Sequence, residues 1–306
     1  MNLSDWTFFM DGFEPLPCRA PCTMYSVLLE NGKIPDPFYG VNEQTLRHLG
    51  ERDCAFETEF AVDARDLEKE YQELEFSGLD TVCRILLNGS PLGRTKNMHR
   101  TYVFPVKDRL VPGKNTLRLE FSSPMAYFRE AQRRHYLYMN DGDTVPGTAH
   151  LRKAMFESGW DWAPTLPDMG ITRPVELRSF DGGRLGRVLV SQKHRGGEVD
   201  VSVRADVLCG SEYEIYVNLD GQRVRATAGE AVVHIEHPRL WWVRGYGEQP
   251  LYPLETELWV GGTCVDRKTV RIGLRTLTVS TEKDADGKGS EFCFVINGVK
   301  IFSMGA

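Results

Sequence analysis

Long apolar runs are absent from this sequence, whose mean hydropathy is −0.35. The first residues, Met1 to Trp6, have neither the cationic flank nor the apolar stretch of a signal peptide. No later segment reaches the roughly 20 apolar residues that a membrane-spanning helix needs. We therefore expect a soluble, cytoplasmic protein with no membrane partner.

An excess of basic residues is also absent. Lysine and arginine number 37 against 43 aspartate and glutamate, which gives a net charge of −6, and no basic stripe stands out. Nucleic-acid binding depends on a positive surface, so we expect no nucleic-acid partner. The hydrophobic fraction of 41% and the charged fraction of 26% are typical of globular proteins, and 306 residues suffice for two domains.

The cysteines form no recognisable framework. Their number is odd and their spacing irregular, which favours reduced thiols over disulfides. Cys18 and Cys22 are close in sequence, but no second pair follows at the spacing of a zinc site. His234 and His237 are three positions apart on a predicted strand and therefore point to opposite faces. The sequence predicts no metal site and no cofactor. The seven cysteines are Cys18, Cys22, Cys54, Cys83, Cys209, Cys264 and Cys293.

What the sequence does contain is strand alternation. Phe56, Thr58 and Phe60 alternate with glutamates, and the same period of two recurs at 117–121, 199–204 and 213–220. This period indicates half-buried antiparallel strands, so we predict an all-β fold. Pairs suited to the positive φ angles of tight hairpin turns occur at Asn88-Gly89, Asp220-Gly221 and Asn297-Gly298.

Three segments depart from the alternation. Residues 16–40 are too rich in proline for a central strand, and we expect ordered coil with short helical turns. Residues 66–71 fit a helical turn or a loop. In the stretch 126–158, residues 127–135 are compatible with a helix and residues 141–143 with a loop. A connection of this length inside a β domain is usually functional.

The best candidate for a linker is Asp181-Gly182-Gly183, after which a second series of strands begins. We predict a first β-sandwich at 1–183. A second one at 184–278 has the short strands of an immunoglobulin-like sandwich, without a cysteine pair across it. Residues 279–306 are predicted to be a linker and one apolar hairpin, disordered or paired with another chain because no later element covers its edge.

The segment 158–164 is the most distinctive in the chain. Trp160 and Trp162 flank Asp161, and Gly159 and Pro164 enclose the three, which predicts a shaped loop. An indole packs well on the apolar face of a pyranose, and a carboxylate accepts hydrogen bonds from sugar hydroxyls. The alternative is that both indoles are buried in the core, the commoner place for aromatic side chains. Asp161 favours the exposed setting, because a buried carboxylate without a partner is costly.

An ordered series of short motifs along nearly the whole chain resembles the N-terminal part of the β-mannosidases of glycoside hydrolase family 2. Small departures occur at Ala163 and Thr165, where the family often has glycine and arginine, and at Ser303-Met304, which replace a lysine-containing pair. The motifs lie at 35–43, 76–81, 87–89, 151–154, 159–162, 170–175, 241–252, 272–275 and 294–298.

The resemblance implies a jelly-roll sugar-binding domain, an immunoglobulin-like domain and then a (β/α)8 barrel with two catalytic glutamates. Retaining hydrolysis requires such a carboxylate pair about 5–5.5 Å apart. We expect the barrel to begin where this chain ends, so no residue here is predicted to be catalytic. The resemblance assigns substrate contacts to Trp160 and Asp161 and, with a supporting role beneath the loop, to Trp162. The implied partners are a β-mannoside oligosaccharide and the barrel in cis.

Three alternatives stay open at this point. The chain fits a stand-alone carbohydrate-binding module that never had a barrel. It also fits the equivalent region of another family 2 enzyme, namely a β-galactosidase, β-glucuronidase or exo-β-glucosaminidase. Self-association as a homodimer is the third.

Overall fold

Strands make up most of the regular structure in the computed structural model, which describes residues 1–138 and 145–305. The chain divides into two units, Met1–Phe180 and Asp181–Ala306. All pairs between the named strands are antiparallel, and the predicted all-β class is confirmed. The loop predicted at 141–143 lies outside the described residues.

In its described residues, the first unit contains fourteen strands and four short helices. The strands are β1 (Asp5–Met10), β2 (Leu16–Arg19), β3 (Cys22–Thr23), β4 (Cys54–Val62), β5 (Tyr71–Phe76), β6 (Leu79–Asp80), β7 (Val82–Leu87), β8 (Ser90–Lys96), β9 (Tyr102–Pro105), β10 (Gly113–Phe121), β11 (Ser158–Trp160), β12 (Ala163–Thr165), β13 (Gly170–Ile171) and β14 (Val175–Phe180). The helices are α1 (Met24–Glu30), α2 (Asn42–Leu46), α3 (Ala64–Glu68) and α4 (Pro124–Arg134), and 3₁₀ turns lie at Arg47–Glu51, Lys107–Arg109, Thr148–His150 and Met155–Glu157.

A six-stranded sheet forms one layer of this unit, in the order β2-β1-β4-β10-β7-β8. A second layer contains the sheets β14-β5-β9 and β3-β13-β6. The core contains side chains from both layers, such as Phe56 from β4 and Leu74 from β5. Phe56 packs edge-on against Phe8 and Phe121, with ring centroids 5.1 and 5.7 Å away. The period-two glutamates of β4 face away from this core, as the alternation predicts.

The segments that depart from the alternation are more regular than predicted. Residues 16–40 include the strands β2 and β3 and the helix α1. Pro17 lies in β2, which is an edge strand, where a missing backbone donor is tolerated. The open choice at 66–71 is resolved, because α3 continues to Glu68 and β5 starts at Tyr71. The predicted helix near 127–135 is confirmed by α4.

Residues 181–305 of the second unit contain ten strands in three sheets. The sheet β15-β16-β19 and the sheet β18-β17-β20-β21 enclose a core with Val201, Val217 and Leu254 fully buried, consistent with the predicted sandwich. The strands are β15 (Arg184–Arg195), β16 (Glu198–Leu208), β17 (Tyr213–Leu219), β18 (Gln222–Arg225), β19 (Glu230–Ile235), β20 (Tyr252–Val260), β21 (Thr263–Ile272), β22 (Leu277–Ser280), β23 (Cys293–Ile296) and β24 (Val299–Lys300).

The three predicted hairpin turns are confirmed. Asn88, Asp220 and Asn297 have φ angles of 50°, 51° and 48°, and each is followed by a glycine that also has positive φ. The three turns with these left-handed conformations connect β7 to β8, β17 to β18, and β23 to β24. Asparagine and aspartate tolerate this region better than other side chains, which explains their position in each turn.

The prediction of a disordered tail is wrong, whereas its pairing with another chain stays a prediction. β23 pairs with β22 on one side and with β24 on the other, and Ile296 is buried. Asn297 accepts a hydrogen bond from the backbone N–H of Thr276 at 2.9 Å and donates one to the carbonyl of Trp241 at 3.1 Å. The hairpin is therefore tied to the second unit. The boundaries predicted at 183/184 and 278/279 stay predictions.

Candidate functional site

Residues 158–165 form a small β-hairpin. β11 and β12 pair through Ser158 with Thr165 and Trp160 with Ala163, so Asp161 and Trp162 occupy its turn. The prediction that this segment is a loop without strands is therefore wrong at 158–160 and at 163–165. Gly159 is buried with a φ of +106°, a conformation that side chains other than glycine rarely adopt.

Both indoles of the hairpin are exposed. Trp160 is 42% exposed and Trp162 is 72% exposed, so the interpretation of either as a core residue is wrong. Trp162 packs against Phe156, with ring centroids 5.8 Å apart and the planes tilted by 35°. It lies at the tip of the hairpin, which does not fit the expectation that it supports the motif from beneath. Two aromatic faces are thus available to a ligand.

Asp161 lies between the two indoles and is exposed. It has no hydrogen bond or ion pair with any other residue in the ranges 1–138 and 145–305. Its carboxylate is thus free to accept hydrogen bonds from a ligand. Exposed aromatic faces beside a free carboxylate suit a polyhydroxylated ring.

The hairpin follows directly after a buried lysine. The side chain of Lys153 is only 2% exposed, and its ammonium group donates to the carboxylates of Asp80 and Glu157. It also donates to the backbone carbonyl of Asp168 at 2.8 Å. These three acceptors use all three N–H donors of the ammonium group. Burial alone would lower the pKa of Lys153, but the charges of Asp80 and Glu157 raise it, so the lysine stays charged.

Two carboxyl groups near Lys153, those of Glu157 and Asp168, have raised pKa values. Burial raises the pKa of Glu157 to about 8; the attraction of Lys153 opposes this shift, and the charge of Asp80 adds to it. Burial raises the pKa of Asp168 to about 6. Hydrogen bonds donated by Thr23 and by the backbone N–H groups of Met169 and Tyr25 lower this pKa and so offset part of the rise. The charge of this cluster therefore changes near neutral pH.

Further contacts hold the segment that leads into the hairpin. The carboxylate of Glu43 accepts a hydrogen bond from the backbone N–H of Thr165 at 3.1 Å. The sulfur of Met98 accepts one from the N–H of Ala154 at 3.0 Å, and the N–H of Met98 donates to the carbonyl of Arg152 at 3.0 Å. These contacts come from different parts of the first unit and position the hairpin on it.

Lys153 was missed as a functional residue in the sequence. The only signal was that Asp80 and Lys153 each lie in a motif of the family resemblance, at 76–81 and 151–154. The structure brings these two motifs together through the ion pair between Lys153 and Asp80. The motif at 35–43 also contacts the hairpin, because Glu43 accepts the hydrogen bond from the backbone N–H of Thr165.

Cysteines and histidines are the residue types that a transition-metal site would use. No group of three or more residues able to hold a metal ion occurs among the described residues. All seven cysteines are free thiols. His234 is hydrogen-bonded to Asp200 at 2.8 Å. No helix in the described part of the chain is long and apolar enough to cross a membrane.

Two family models match the chain. Residues 6–173 match the model described as glycosyl hydrolase 2 galactose-binding domain-like, which is more than half of the chain. The chain belongs to glycosyl hydrolase family 2. Residues 186–275 match a second model, described as glycosyl hydrolases family 2. The fold is accordingly a galactose-binding-like sandwich followed by a family 2 sandwich.

Relatives in family 2 are named β-mannosidases. β-Mannosidase B of Thermothelomyces thermophilus is 32% identical over 94% of this chain, and the β-mannosidase of Mus musculus is 27% identical over 97%. The crystal structure of the β-D-mannosidase from Dictyoglomus thermophilum covers all of the chain with a TM-score of 0.91 and 32% identity.

These relatives are much longer than this chain. The chain spans 35% and 36% of the two curated relatives and 40% of the Dictyoglomus structure. The exo-chitosanase of Amycolatopsis orientalis covers 98% of the chain with a TM-score of 0.73 at 22% identity, and 36% of its own length is matched. This second structure shows the shared fold alone.

Proposed function

We propose that this chain forms the accessory domains of a longer, retaining exo-β-mannosidase that removes terminal β-D-mannose from β-mannosides. The observation that carries the proposal is the free carboxylate of Asp161 between two exposed indoles, in a hairpin that follows the buried Lys153 in the chain. The names of the relatives and the Dictyoglomus structure support mannose as the terminal sugar.

In this proposal, the chemistry takes place on a catalytic barrel in the longer parent protein. Two carboxylates there act as acid/base and nucleophile across the terminal sugar. The residues of this chain bind and orient that sugar. The indole of Trp160 packs on the apolar face of the ring, and Asp161 accepts hydrogen bonds from its hydroxyls. Holding the ring in one orientation lowers the entropy lost on reaching the transition state.

Hydrolysis by the purified chain and by its longer parent tests the proposal. The parent should hydrolyse an aryl β-mannoside faster than the matching β-glucosaminide, β-galactoside or β-glucuronide. The 306-residue chain should hydrolyse none of them, because no described residues form a barrel that would hold the carboxylate pair. A parent that prefers one of the other glycosides would assign this region to another family 2 enzyme. Turnover by the 306-residue chain itself would contradict the division of roles.

Binding of the free sugar provides a second check. The hairpin alone offers part of a pocket, so mannose should bind to the 306-residue chain with a millimolar Kd or too weakly to detect. Micromolar binding to the chain alone would favour a stand-alone carbohydrate-binding module.

We also propose a cytoplasmic location, which fractionation of the source cells tests. Light scattering tests the homodimer.

A further inference from the structure

One row of side chains crosses five strands of the six-stranded sheet. The strand registers place Phe9 opposite Ala55, Ala55 opposite Glu120, Glu120 opposite Arg84, and Arg84 opposite Arg94. The row thus runs from β1 through β4, β10 and β7 to β8. Four steps between strands about 4.8 Å apart give it a length of ~19 Å.

The row forms the floor of an open groove of about 1150 Å³. Ala55 has the smallest side chain of the row and lies between the ring of Phe9 and the carboxylate of Glu120, so the surface is lowest there. Phe13 and the turn at Asp11 line the end of the groove near β1. No residue of the hairpin at 158–165 lines this groove. It is therefore a separate feature of the first unit.

The charges along the groove are only partly paired with one another. Glu120 lies 3.5 Å from Arg84 and 3.4 Å from Arg118, and the guanidinium of Arg118 lies 5.1 Å from the centre of the Phe9 ring. The side chain of Arg94 is exposed and has no hydrogen bond or ion pair with any residue that the structure describes. It faces the like charge of Arg84 across the strand pair, an arrangement that is unfavourable without a ligand.

The groove nevertheless carries no formal net charge. Its four arginines are matched in number by four carboxylate residues. Such a lining offers many hydrogen-bond donors and acceptors. Because its charges balance, its electrostatic field favours neither anionic nor cationic ligands. The lining residues with formal charge are Arg52, Arg84, Arg94, Arg118, Asp11, Glu51, Asp53 and Glu120.

We propose that this groove is a second carbohydrate site, which binds a neutral oligosaccharide along the row from Phe9 to Arg94. One sugar ring packs on Phe9 above Ala55, its hydroxyls donate to Glu120, and the next rings accept hydrogen bonds from Arg84 and Arg94. The length of the row favours a chain of several sugars over a monosaccharide. The choice of a mannose chain as the ligand rests on the proposed function.

Calorimetric titration of the 306-residue chain with a β-1,4-linked mannohexaose tests this site. Phe9→Ala and Arg94→Ala should each weaken binding about tenfold, a loss of about 1.4 kcal/mol. Trp162→Ala, which removes an exposed aromatic side chain at the hairpin, should leave binding of the hexaose to the groove unchanged. Arg94 is exposed and unpaired, so its variant keeps the test valid if Phe9→Ala lowers the melting temperature.

Three results would overturn the proposal. The first is absence of hexaose binding, and the second is hexaose binding that Trp162→Ala abolishes and the groove variants leave intact. The third is tighter binding of an oligouronate of the same length, which would show a site for anions. Because binding is measured without catalysis, a parent inactive on mannosides would refute the proposed function and leave the groove result standing. An active parent together with a chain that binds no hexaose would refute the groove alone.

Discussion

The ammonium group of Lys153 donates a hydrogen bond to the carboxylate of Asp80, 73 positions earlier in the chain, and the two side chains are only 2% and 1% exposed. Asp80 belongs to β6, and Lys153 lies five residues before β11. This ion pair therefore connects the body of the first unit to the segment that carries Trp160 and Asp161. Its loss should affect both folding and the position of the hairpin.

Lys153→Met should destabilise the first unit strongly. The substitution removes the cation and leaves buried carboxyl groups without their partner, which typically costs about 3–5 kcal/mol. Denaturant unfolding of the 306-residue chain measures this loss. Lys114→Met is the matched control, because Lys114 pairs with Glu59 at 2.7 Å on the surface and both side chains are largely exposed.

The control should lose no more than about 1 kcal/mol, as is usual for an exposed pair. Equal losses for Lys153→Met and Lys114→Met would show that the buried cluster contributes nothing special to stability. The expected difference is large compared with the error of such measurements.

Stability should depend on pH through Glu157. Its pKa is about 8 in the folded chain, against an ordinary value of 4.5. Between these values the folded state holds a proton that the unfolded state has released, so the stabilising contribution is full below pH 4.5 and is lost as the pH rises through 8. Relative to Glu157→Gln, which cannot titrate, the wild-type chain should therefore lose stability over this range. A difference between the two proteins that is constant from pH 5 to pH 8 would contradict the assignment.

Asn297→Ala should destabilise the second unit more than Asp220→Ala. Both residues have φ near 50° in hairpin turns followed by glycine, so both variants incur a similar backbone cost of about 1 kcal/mol. Asn297 also loses its hydrogen bonds to Thr276 and Trp241, worth about 1 kcal/mol each. Thermal unfolding compares the two variants. If both lower the melting temperature equally, the last hairpin is not anchored as described.

The strands and hairpin turns were predictable because their signals are local. The alternation at Phe56 and Phe60 indicates which face of β4 is buried. The two residues Asn88-Gly89 are enough to predict the positive φ angles of a turn. The short strands β11 and β12 were missed for the opposite reason. Their pairing across Gly159 and Pro164 depends on tertiary contacts, among them the hydrogen bond from Thr165 to Glu43.

The candidate site was only half predictable. Trp160, Asp161 and Trp162 stood out by residue type, but the pattern alone did not decide whether the indoles are buried. No local feature of the sequence distinguishes Lys153, between Arg152 and Ala154, from an exposed lysine. Its burial depends on carboxylates brought together by the fold from 73 positions before it and four after it. A pattern within a few neighbouring residues cannot show which distant residues the fold brings into contact.

The most direct test of the account is the kinetics of Asp161→Asn in the longer parent protein. A hydrogen bond from a sugar hydroxyl to an ionised carboxylate is worth about 1.5–3 kcal/mol, so kcat/KM on an aryl β-mannoside should fall roughly ten- to a hundredfold. The melting temperature should not change, because Asp161 has no partner among the described residues. Asp108→Asn, a substitution of another exposed carboxylate, should leave kcat/KM unchanged. If Asp161→Asn retains the wild-type kcat/KM, the hairpin does not bind the substrate.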